Sequence, residues 1–445
     1  GLLLYLSYGR YGEPTIYFAL AFGLFGSILF FGWKKLSKVG ASFRIFEIGV
    51  WLLILIQLGC LCLSPALIYV RDSGASQALS SFLYLAICLW LVYGSRFVTR
   101  KSQRWVESPV IPILTVLFVV IAKALVISAS PTPAIDGHII VTQATDLFLD
   151  FKNPYTASYP EIYGGAYGYK PTFSYWPGTL YIMAPFRFFG LDMRYGLLFF
   201  DLIIGGLLGL LAFRKFSVAP VSLSSKKSIS FSYSLLWVTL PVSFFVLEQA
   251  WLDTFIIAGG VGLLLCLFQD RFKTASLIAG FMVTVKQYAA FYVLFAIFEF
   301  FSRAREIRLS LKGIFSLIGV GFLSFSLFML PFVLVNPRAF YEATIEFFSK
   351  PIPMRLDALT LRAWVALRTG VDTLEIFSNP VVLAVVLVGL SVWCMAQLRS
   401  KKSPRGMTYA VSSYVLFSCM FLFGTHSFCN QYYFLAIWPL LISLI

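Results

Sequence analysis

Long apolar runs constrain this sequence more than any other feature. A helix of about 20 apolar residues crosses a bilayer and keeps its backbone hydrogen bonds internal. Runs of about this kind lie near residues 15–33, 46–70, 79–98, 110–130, 195–213, 231–247, 253–268, 273–286, 288–302, 313–335, 380–398, 407–423 and 430–445. With 59% hydrophobic and 12% charged residues, the chain lies outside the range of soluble globular domains. We predict an all-α polytopic membrane protein with about 13 transmembrane helices.

Clusters of lysine and arginine orient these spans. A net charge of +15 would suggest nucleic acid as a partner of a soluble protein. Here most basic residues lie in short clusters between apolar runs, at residues 34–44, 96–104, 214–227, 271–273, 303–312 and 399–405. Such clusters mark cytoplasmic loops, so no nucleic acid is expected. The extracytoplasmic segments are then residues 131–194, 248–253, 286–288, 336–379 and the stretch around His426.

Two of these outer segments are long enough to hold surface helices. Residues 170–190 are apolar enough to be a span, but a crossing there would move the basic cluster at 214–227 outside. We therefore predict a surface helix broken by Pro177 and Pro185. The 336–379 loop is predicted to form amphipathic surface helices that cover a site or contact anionic headgroups. Its basic residues are Arg338, Lys350, Arg355, Arg362 and Arg368.

Acidic residues beside a membrane are functional candidates, because lipid tolerates ionised groups poorly. Asp136 follows a predicted span and opens the segment DGHIIVTQATDLFLDFKNPY. A carboxylate at headgroup depth suits a general base that takes a proton from an acceptor hydroxyl. The alternative is structural, with Asp136 as the N-cap of the helix that follows. Asp146 and Asp150 share one face of that helix and fit solvated positions better, and the N-P-Y sequence is predicted to end it.

Two short outer turns carry further charged side chains. In EQAWLD, Glu248 and Asp253 lie on a turn between two spans, where either could orient the acceptor or the sugar hydroxyls. An ordinary polar hairpin explains them equally well. Lys286 interrupts what would otherwise be one apolar stretch, and a lipid-linked phosphate would neutralise it. The alternative is a lysine that snorkels from a helix end to the surface.

The segment FGTHSFCNQYYFL adds a polar cluster near the end of the chain. His426 lies where a predicted span leaves the membrane, and Asn430 and Gln431 follow it. The cluster fits sugar or phosphate recognition, while a structural role for a lone histidine is equally compatible. The seven cysteines lie in or beside apolar stretches without C-x-x-C spacing, so neither disulfides nor a metal site are predicted. A glycine at the start and an apolar run at the end are compatible with truncation at both ends.

The order of these features resembles that of the GT-C glycosyltransferases, membrane enzymes that take a sugar from a polyprenyl-phosphate carrier on the extracytoplasmic face. Asp136 and the runs DLFLDFKNPY, YGYKPTFSYWP and EQAWLD match their pattern. The run VKQYA is most similar to the polyprenyl-phosphate-mannose-dependent mannosyltransferases. The resemblance covers about residues 110–445 and implies Asp136 as the catalytic base. The predicted substrate-binding residues are His138, Tyr169, Lys170, Glu248, Asp253, Lys286, Gln287, His426 and Gln431.

Two features depart from this family pattern. About three predicted spans precede the first outer loop, where the family often has one. Residues 1–108 are therefore predicted to form an added or rearranged module before a catalytic module at 109–445. Asp136 is followed by Gly137 and His138 instead of a second acid, and no D-x-D is present. The resemblance to enzymes with monophosphate donors implies that neither a divalent metal nor another cofactor is needed.

The leading hypothesis is an inverting glycosyltransferase of the cell or inner membrane. It would move a mannose-like hexose from polyprenyl phosphate to a lipid or glycan acceptor on the extracytoplasmic side, with Lys286 and His426 stabilising the departing phosphate. A lipid or solute transporter is the alternative. It would need polar groups near the midplane and on both faces of the membrane. Here the predicted spans carry almost no charge, and the acidic residues are predicted to lie on one side of the membrane. A non-catalytic membrane scaffold would not require the outer charges to converge.

Overall fold

The structure, a computed structural model, describes residues 41–65, 67–97, 109–165, 170–217, 223–307, 311–347, 356, 358–372, 385–393, 396, 406–423 and 429–445. Within these ranges the regular secondary structure is helical, as the predicted fold class requires. The predicted span at 15–33 and the basic residues Lys350 and Arg355 lie outside the described residues.

The α-helices follow one another with short connections. They are α1 (Ala41–Leu63), α2 (Ser73–Gly94), α3 (Val110–Ala129), α4 (Asp136–Leu149), α5 (Gly178–Phe188), α6 (Arg194–Ser217), α7 (Leu223–Val238), α8 (Pro241–Glu248), α9 (Asp253–Phe268), α10 (Phe272–Val283), α11 (Ala290–Ile307), α12 (Leu311–Val335), α13 (Pro337–Tyr341), α14 (Leu361–Thr369), α15 (Met407–Phe423) and α16 (Cys429–Leu444). Residues 385–393 are also helical. Shorter 3₁₀ turns occupy Ser95–Phe97, Pro154–Thr156 and Gln287–Ala289, and a π-turn occupies Glu342–Glu346.

Fewer helices than predicted are long enough to span a membrane. In the described part of the chain, five helices pass on length and composition, namely those in α1, α2, α3, α6 and α12. The pair α7 and α8 makes a sixth, bent by 46° at its break. Five shorter apolar helices of 10–17 residues lie in α9, α10, α11, α15 and α16. The prediction of about 13 spans is therefore not confirmed.

Prolines account for two differences between the predicted and the observed helices. The predicted span at 231–247 is two helices, because Pro241 begins α8 and has no N–H to continue the backbone ladder of α7. The predicted break at Pro185 is wrong, since α5 runs through it to Phe188 and loses only one hydrogen bond near its end. Pro177 does mark the start of α5 as its N-cap. With 11 residues, α5 is too short to cross a bilayer.

Small residues bring α6 and α7 into close contact. Gly205 and Gly209 of α6 face Ser230 and Ser234 of α7, and a Cβ at Gly209 would collide with the Ser234 hydroxyl. Ser230 donates a hydrogen bond to the Gly209 carbonyl at 2.7 Å, and Ser234 donates to the Gly205 carbonyl at 2.8 Å. Hydroxyl bonds of this kind between membrane helices contribute on average about 0.6 kcal/mol each. They hold α6 against α7 in one register.

The N-terminal helices α1 and α2 form a hairpin that packs on the rest of the chain. The Trp51 indole donates to the Trp90 carbonyl at 2.9 Å, and the Trp90 indole donates to the Trp51 carbonyl at 3.0 Å. This reciprocal pair locks the two helices together. Helix α2 packs along α3, and α1 contacts α7. The division at residue 108 stays a prediction, but the hairpin is in direct contact with the helices that follow.

Candidate functional site

The turn EQAWLD holds two buried carboxylates that point to different partners. Glu248 ends α8 and Asp253 begins α9, and both side chains are fully buried. Between them Ala250 has a φ of 54°, in the left-handed region that tightens the turn. A buried carboxylate must be paired or hydrogen-bonded, so the partners of each define its role.

Glu248 anchors the loop between α1 and α2 and the C-terminal end of α3. Its carboxylate accepts hydrogen bonds from the backbone N–H of Ile68 at 2.8 Å and of Tyr69 at 2.9 Å. The Ser130 hydroxyl donates to it at 2.6 Å, and Gln249 donates at 3.2 Å. These donors surround a fully buried group. The geometry therefore favours an anchoring role over the predicted contact with substrate hydroxyls.

Asp253 forms a network with three side chains that are distant in sequence. Lys286 donates to its Oδ1 at 2.9 Å, Tyr288 donates to the same oxygen, and Asn430 donates to Oδ2 at 2.6 Å. The Lys286 ammonium also lies 5.0 Å from the Tyr288 ring centroid, within range of a cation–π interaction. Asp253 is fully buried, while the side chain of Lys286 is 17% exposed.

The environment of Lys286 includes an acidic partner that the sequence did not indicate. The chain breaks at Lys286 as expected, because α10 ends at Val283 and Lys286 is extended, with φ −150° and ψ 135°. The expectation that a lone lysine needs a phosphate for neutralisation is wrong, since Asp253 neutralises it. The snorkelling alternative is also wrong, since Lys286 lies between two helices and points to a buried acid. The pair instead holds the ammonium in a defined position.

Asp136 is the first residue of α4 and is half-buried. The predicted N-cap role is wrong, because Ile135 occupies the cap position. The Tyr163 hydroxyl lies 3.3 Å from both the Asp136 backbone nitrogen and the Asp136 Oδ1, so it accepts from the first and donates to the second. The Gly137 N–H also donates to Oδ1, at 2.7 Å. These two hydrogen bonds hold the carboxylate in one orientation at the start of α4, as the positioning of a general base requires.

Helix α4 is tied to α5 by an ion pair that the sequence did not indicate. Arg187 binds both carboxylate oxygens of Asp146, at 2.8 and 2.9 Å, so Asp146 is not simply solvated. Asp150 pairs with Lys152 at 3.0 Å on the exposed surface, as expected of a solvated position. The N-P-Y sequence does not end α4, because the helix stops at Leu149. Its asparagine instead caps the 3₁₀ turn at Pro154–Thr156.

His138 lies beside a second charged cluster at the start of α6. Its Nε2 is 3.7 Å from the Asp192 carboxylate, which Arg194 binds through Nε at 3.0 Å and Nη2 at 2.7 Å. Burial raises the pKa of Asp192, but the hydrogen bonds from His138 and Arg194 outweigh it and hold that pKa well below its usual range. Arg194 is itself fully buried. The cluster joins the first turn of α4 to the start of α6.

The remaining predicted substrate residues are more scattered. Gln287 donates to the Thr344 carbonyl at 3.4 Å, which joins the Lys286 segment to the second outer loop. Gln431 lies on α16 next to Asn430, and Lys170 is exposed. Tyr169 and His426 lie outside the described residues.

Tyr175 lies between Asp136 and the Asp253 network, and sequence reasoning missed it. A Cβ added to Gly137 would lie 3.5 Å from the Tyr175 hydroxyl. The same hydroxyl interacts electrostatically with Tyr288, a partner of Asp253. Tyr155 donates to the Tyr175 carbonyl at 2.9 Å and fixes this segment. The run YGYKPTFSYWP has three aromatic residues after its lysine, but no local pattern shows what they contact.

The start of α5 is fastened to the end of α10, which brings Tyr175 to the Lys286 segment. The Gly178 N–H donates to the Thr284 carbonyl at 2.7 Å, and the Thr179 hydroxyl donates to the Val285 carbonyl at 3.2 Å. A Cβ at Gly178 would meet the Thr284 backbone at 2.7 Å, so only glycine allows this approach. The two outer segments therefore meet backbone to backbone.

A buried ion pair inside the spans corrects the expectation that the acids are one-sided. Lys123 of α3 donates to Asp201 of α6, and both side chains are buried. Trp237 of α7 donates to the other carboxylate oxygen at 2.7 Å, and the Tyr433 hydroxyl of α16 also donates to it. Lys123 lies six residues before the last residue of α3, and Asp201 lies seven residues after the first residue of α6. Each is therefore roughly 10 Å from that end of its helix. The sequence indicates this pair only through one lysine and one aspartate in otherwise apolar runs.

Comparison with known proteins identifies the family. The model of glycosyltransferase family 87 matches residues 173–423, more than half of the chain. The matched segment includes the EQAWLD turn and Lys286, while Asp136 and the N-terminal hairpin precede it. Neither a curated protein nor a solved structure gives a significant match. The match favours an enzyme over the transporter alternative. The chain belongs to glycosyltransferase family 87 and is a membrane glycosyltransferase.

Proposed function

We propose that this glycosyltransferase moves a mannose-like hexose from a polyprenyl-phosphate donor to a lipid or glycan acceptor, with inversion at the anomeric carbon, on the extracytoplasmic side of the membrane. One observation carries the proposal. Asp136, a half-buried carboxylate, and Lys286, a partly exposed ammonium, lie on two segments that Tyr175 connects. The Tyr175 hydroxyl lies near Gly137, the neighbour of Asp136, and interacts with Tyr288, which binds the same carboxylate as Lys286. A base for the acceptor and a cation for the leaving phosphate are the two groups that such a transfer requires.

The proposed reaction is a single displacement. The acceptor hydroxyl oxygen attacks the anomeric carbon as its proton passes to the Asp136 carboxylate. The bond between the anomeric carbon and the phosphate oxygen breaks, and polyprenyl phosphate leaves with the bonding electrons. Lys286 lies where its positive charge would stabilise the charge that develops on the phosphate. No metal is part of the proposal, because the chain carries no D-x-D pair.

The ion pair with Asp253 prepares Lys286 for this role. A free lysine side chain loses rotamer entropy when it binds a phosphate, but Asp253, with Tyr288 and Asn430, holds the ammonium in place beforehand. The ammonium has three N–H donors, so it can bind a phosphate oxygen while it stays bonded to Asp253. Asp253 thus acts through Lys286 and not by direct contact with substrate.

The other predicted substrate residues keep supporting roles in the proposal. We assign sugar or phosphate contacts to the residues on the same outer segments, namely His138, Tyr169, Lys170, Gln287, His426 and Gln431. Glu248 is reassigned as the anchor of the α1–α2 loop and the end of α3, because two backbone amides and the Ser130 hydroxyl already bind it.

The experiment that tests the proposal is a transfer assay. Purified protein in lipid nanodiscs is incubated with radiolabelled polyprenyl-phosphate mannose and extracted membrane lipids, and label in lipid or glycan products is measured. Polyprenyl-phosphate glucose and a nucleotide-linked mannose serve as matched donors. We expect transfer from the polyprenyl-phosphate mannose. Transfer only from the nucleotide-linked sugar would overturn the proposed donor class.

The proposed side of the membrane predicts which positions react with an impermeant thiol reagent. Ser158 and Ser217 are both exposed. The proposal places Ser158 in the first extracytoplasmic segment and Ser217 at the cytoplasmic end of α6. In intact cells, Ser158→Cys should label and Ser217→Cys should label only after permeabilisation, each compared with the parent chain. Labelling of Ser217→Cys in intact cells would contradict the proposed extracytoplasmic position of the site.

Removal of the Lys286 charge is expected to weaken donor binding. Lys286→Met should raise the KM for polyprenyl-phosphate mannose by about tenfold or more, as expected for the loss of one charge-assisted contact of roughly 1.5–3 kcal/mol. The change also leaves the Asp253 carboxylate buried without its cation, so we expect a lower melting temperature.

A double variant separates these two effects. Lys286→Met combined with Asp253→Asn removes the buried charge and should recover most of the melting temperature while the donor KM stays high. A donor KM that returns to the parental value in the double variant would show that Lys286 acts only on stability.

A further inference from the structure

The loop between α1 and α2 lies against the segment that carries Asp136. The Tyr69 hydroxyl donates to the Ala134 carbonyl at 3.3 Å, two residues before Asp136. Tyr69 also interacts electrostatically with Tyr163, whose hydroxyl is bonded to the Asp136 carboxylate. The side chain of Tyr69 is half-buried, while its neighbours Ile68 and Val70 are exposed. The half-buried side chain of Tyr69 therefore contacts the segment that carries Asp136.

Two independent contacts hold the loop in this position. Glu248, fully buried, accepts from the consecutive N–H groups of Ile68 and Tyr69. At the far end of the loop, the N–H groups of Arg71 and Asp72 both donate to the Ala129 carbonyl, at 2.8 and 3.1 Å. A buried carboxylate bound by backbone amides resists movement, because a shift of the loop would take two of its hydrogen-bond donors away. These contacts therefore fix the position of Tyr69.

We infer that Tyr69 is an acceptor-recognition residue and that the acceptor carries a sugar or polyol ring at the reacting hydroxyl. The inference rests on the proposed function in taking Asp136 as the base, so the acceptor hydroxyl must come within hydrogen-bond distance of that carboxylate. Tyr69, Tyr163 and Tyr175 then surround the acceptor with rings and hydroxyls. An aromatic ring offers an apolar face to the C–H groups of a sugar, and the phenol offers a polar edge.

This inference gives the N-terminal hairpin a function. The family match begins at residue 173, so the hairpin lies outside it. Through Glu248, a residue inside the matched segment, the hairpin loop is joined to the wall of the Asp136 site. The hairpin thus sets which acceptor binds, while the matched segment supplies the donor cation.

The test compares Tyr69→Ala, Tyr69→Phe and a matched control, Ile68→Ala, which alters an exposed neighbour but keeps the backbone amides that Glu248 binds. Octyl mannoside is the acceptor probe, and its transfer kinetics are measured with polyprenyl-phosphate mannose. We expect Tyr69→Ala to raise the acceptor KM by about tenfold or more and to leave the donor KM within twofold. Tyr69→Phe keeps the ring and loses only the hydroxyl, so its acceptor KM should rise less than that of Tyr69→Ala. Ile68→Ala should stay within a few-fold of the parent.

A binding measurement separates this inference from the proposed function. Saturation-transfer NMR of octyl mannoside with the protein in nanodiscs needs no donor and no turnover. We expect the signal to be present in the parent and in Tyr69→Phe and lost in Tyr69→Ala, even if transfer from polyprenyl-phosphate mannose is not observed. An unchanged signal in Tyr69→Ala, or equal changes in donor and acceptor KM, would overturn the inference.

Discussion

Asp136→Asn is expected to lower turnover by roughly 10²-fold or more, because the amide cannot accept a proton from the acceptor hydroxyl at neutral pH. The fold should survive the change. Asparagine keeps the size and an oxygen that can accept from Tyr163 and Gly137, whose hydrogen bonds position the carboxylate. Loss of the anion from the first turn of α4 should lower stability by only about 0.3–1 kcal/mol. Donor KM should hardly change, since the base contacts the acceptor.

Asp146→Asn is the matched control for this variant. It lies on the same helix, and its pair with Arg187 is partly exposed, at 46% for Asp146 and 23% for Arg187. A surface pair contributes little, so turnover should stay within a few-fold of the parent. Steady-state kinetics of both variants settle the assignment. Full activity in Asp136→Asn together with complete loss in Asp253→Asn would move the catalytic role to the EQAWLD turn.

Lys123→Met is expected to cause the largest loss of stability, about 3–5 kcal/mol, because it leaves Asp201 as an unpaired charge inside the spans. Asp201 keeps its hydrogen bonds from Trp237 and Tyr433, but these donors do not neutralise it. The double variant Lys123→Met with Asp201→Asn removes the charge and keeps an oxygen for both donors. It should recover most of the loss. Thermal unfolding of the detergent-solubilised protein measures each variant.

Lys152→Met provides the control for the buried pair. Lys152 and Asp150 form an ion pair of similar type, but their side chains are 65% and 62% exposed. Water replaces the lost partner there, so the melting temperature should hardly change. A parental melting temperature in Lys123→Met would show that the buried pair does not stabilise the fold. An equal loss in the single and double variants would point to packing and not to charge.

Local patterns were enough to predict the helical class and several landmarks. The break at Lys286 follows from one charge in apolar surroundings, and the structure has it. A short helix within residues 170–190 was also predicted, although it begins after Pro177 and is not broken at Pro185. Asp136 at the head of α4 follows from its place after a long apolar run. Each of these features depends on a few consecutive residues, which a sequence displays directly.

Pairings between distant segments were not predictable in the same way. Lys286 and Asp253 are separated by 33 residues, and Lys123 and Asp201 by 78. Each side chain was interpreted by itself, because periodicity and hydropathy do not show which helices are neighbours. The rule that a buried charge needs a partner predicts that such pairs exist, but not who the partners are. Tyr69 and Tyr175 were missed for the same reason, since tyrosines beside a membrane are common.

The ion pair between α3 and α6 also imposes an order on biosynthesis. Translation makes α3 first, so Lys123 reaches the membrane while its partner is still 78 residues away. A lysine at this depth costs up to about 3 kcal/mol on insertion, which the apolar residues around it must offset. Insertion of α6 carries a similar cost for Asp201, which its pairing with Lys123 then offsets. Each helix alone carries an unpaired charge into lipid, and the two helices together carry a neutral pair. The pairing of α3 with α6 also brings together the two ends of the segment between them.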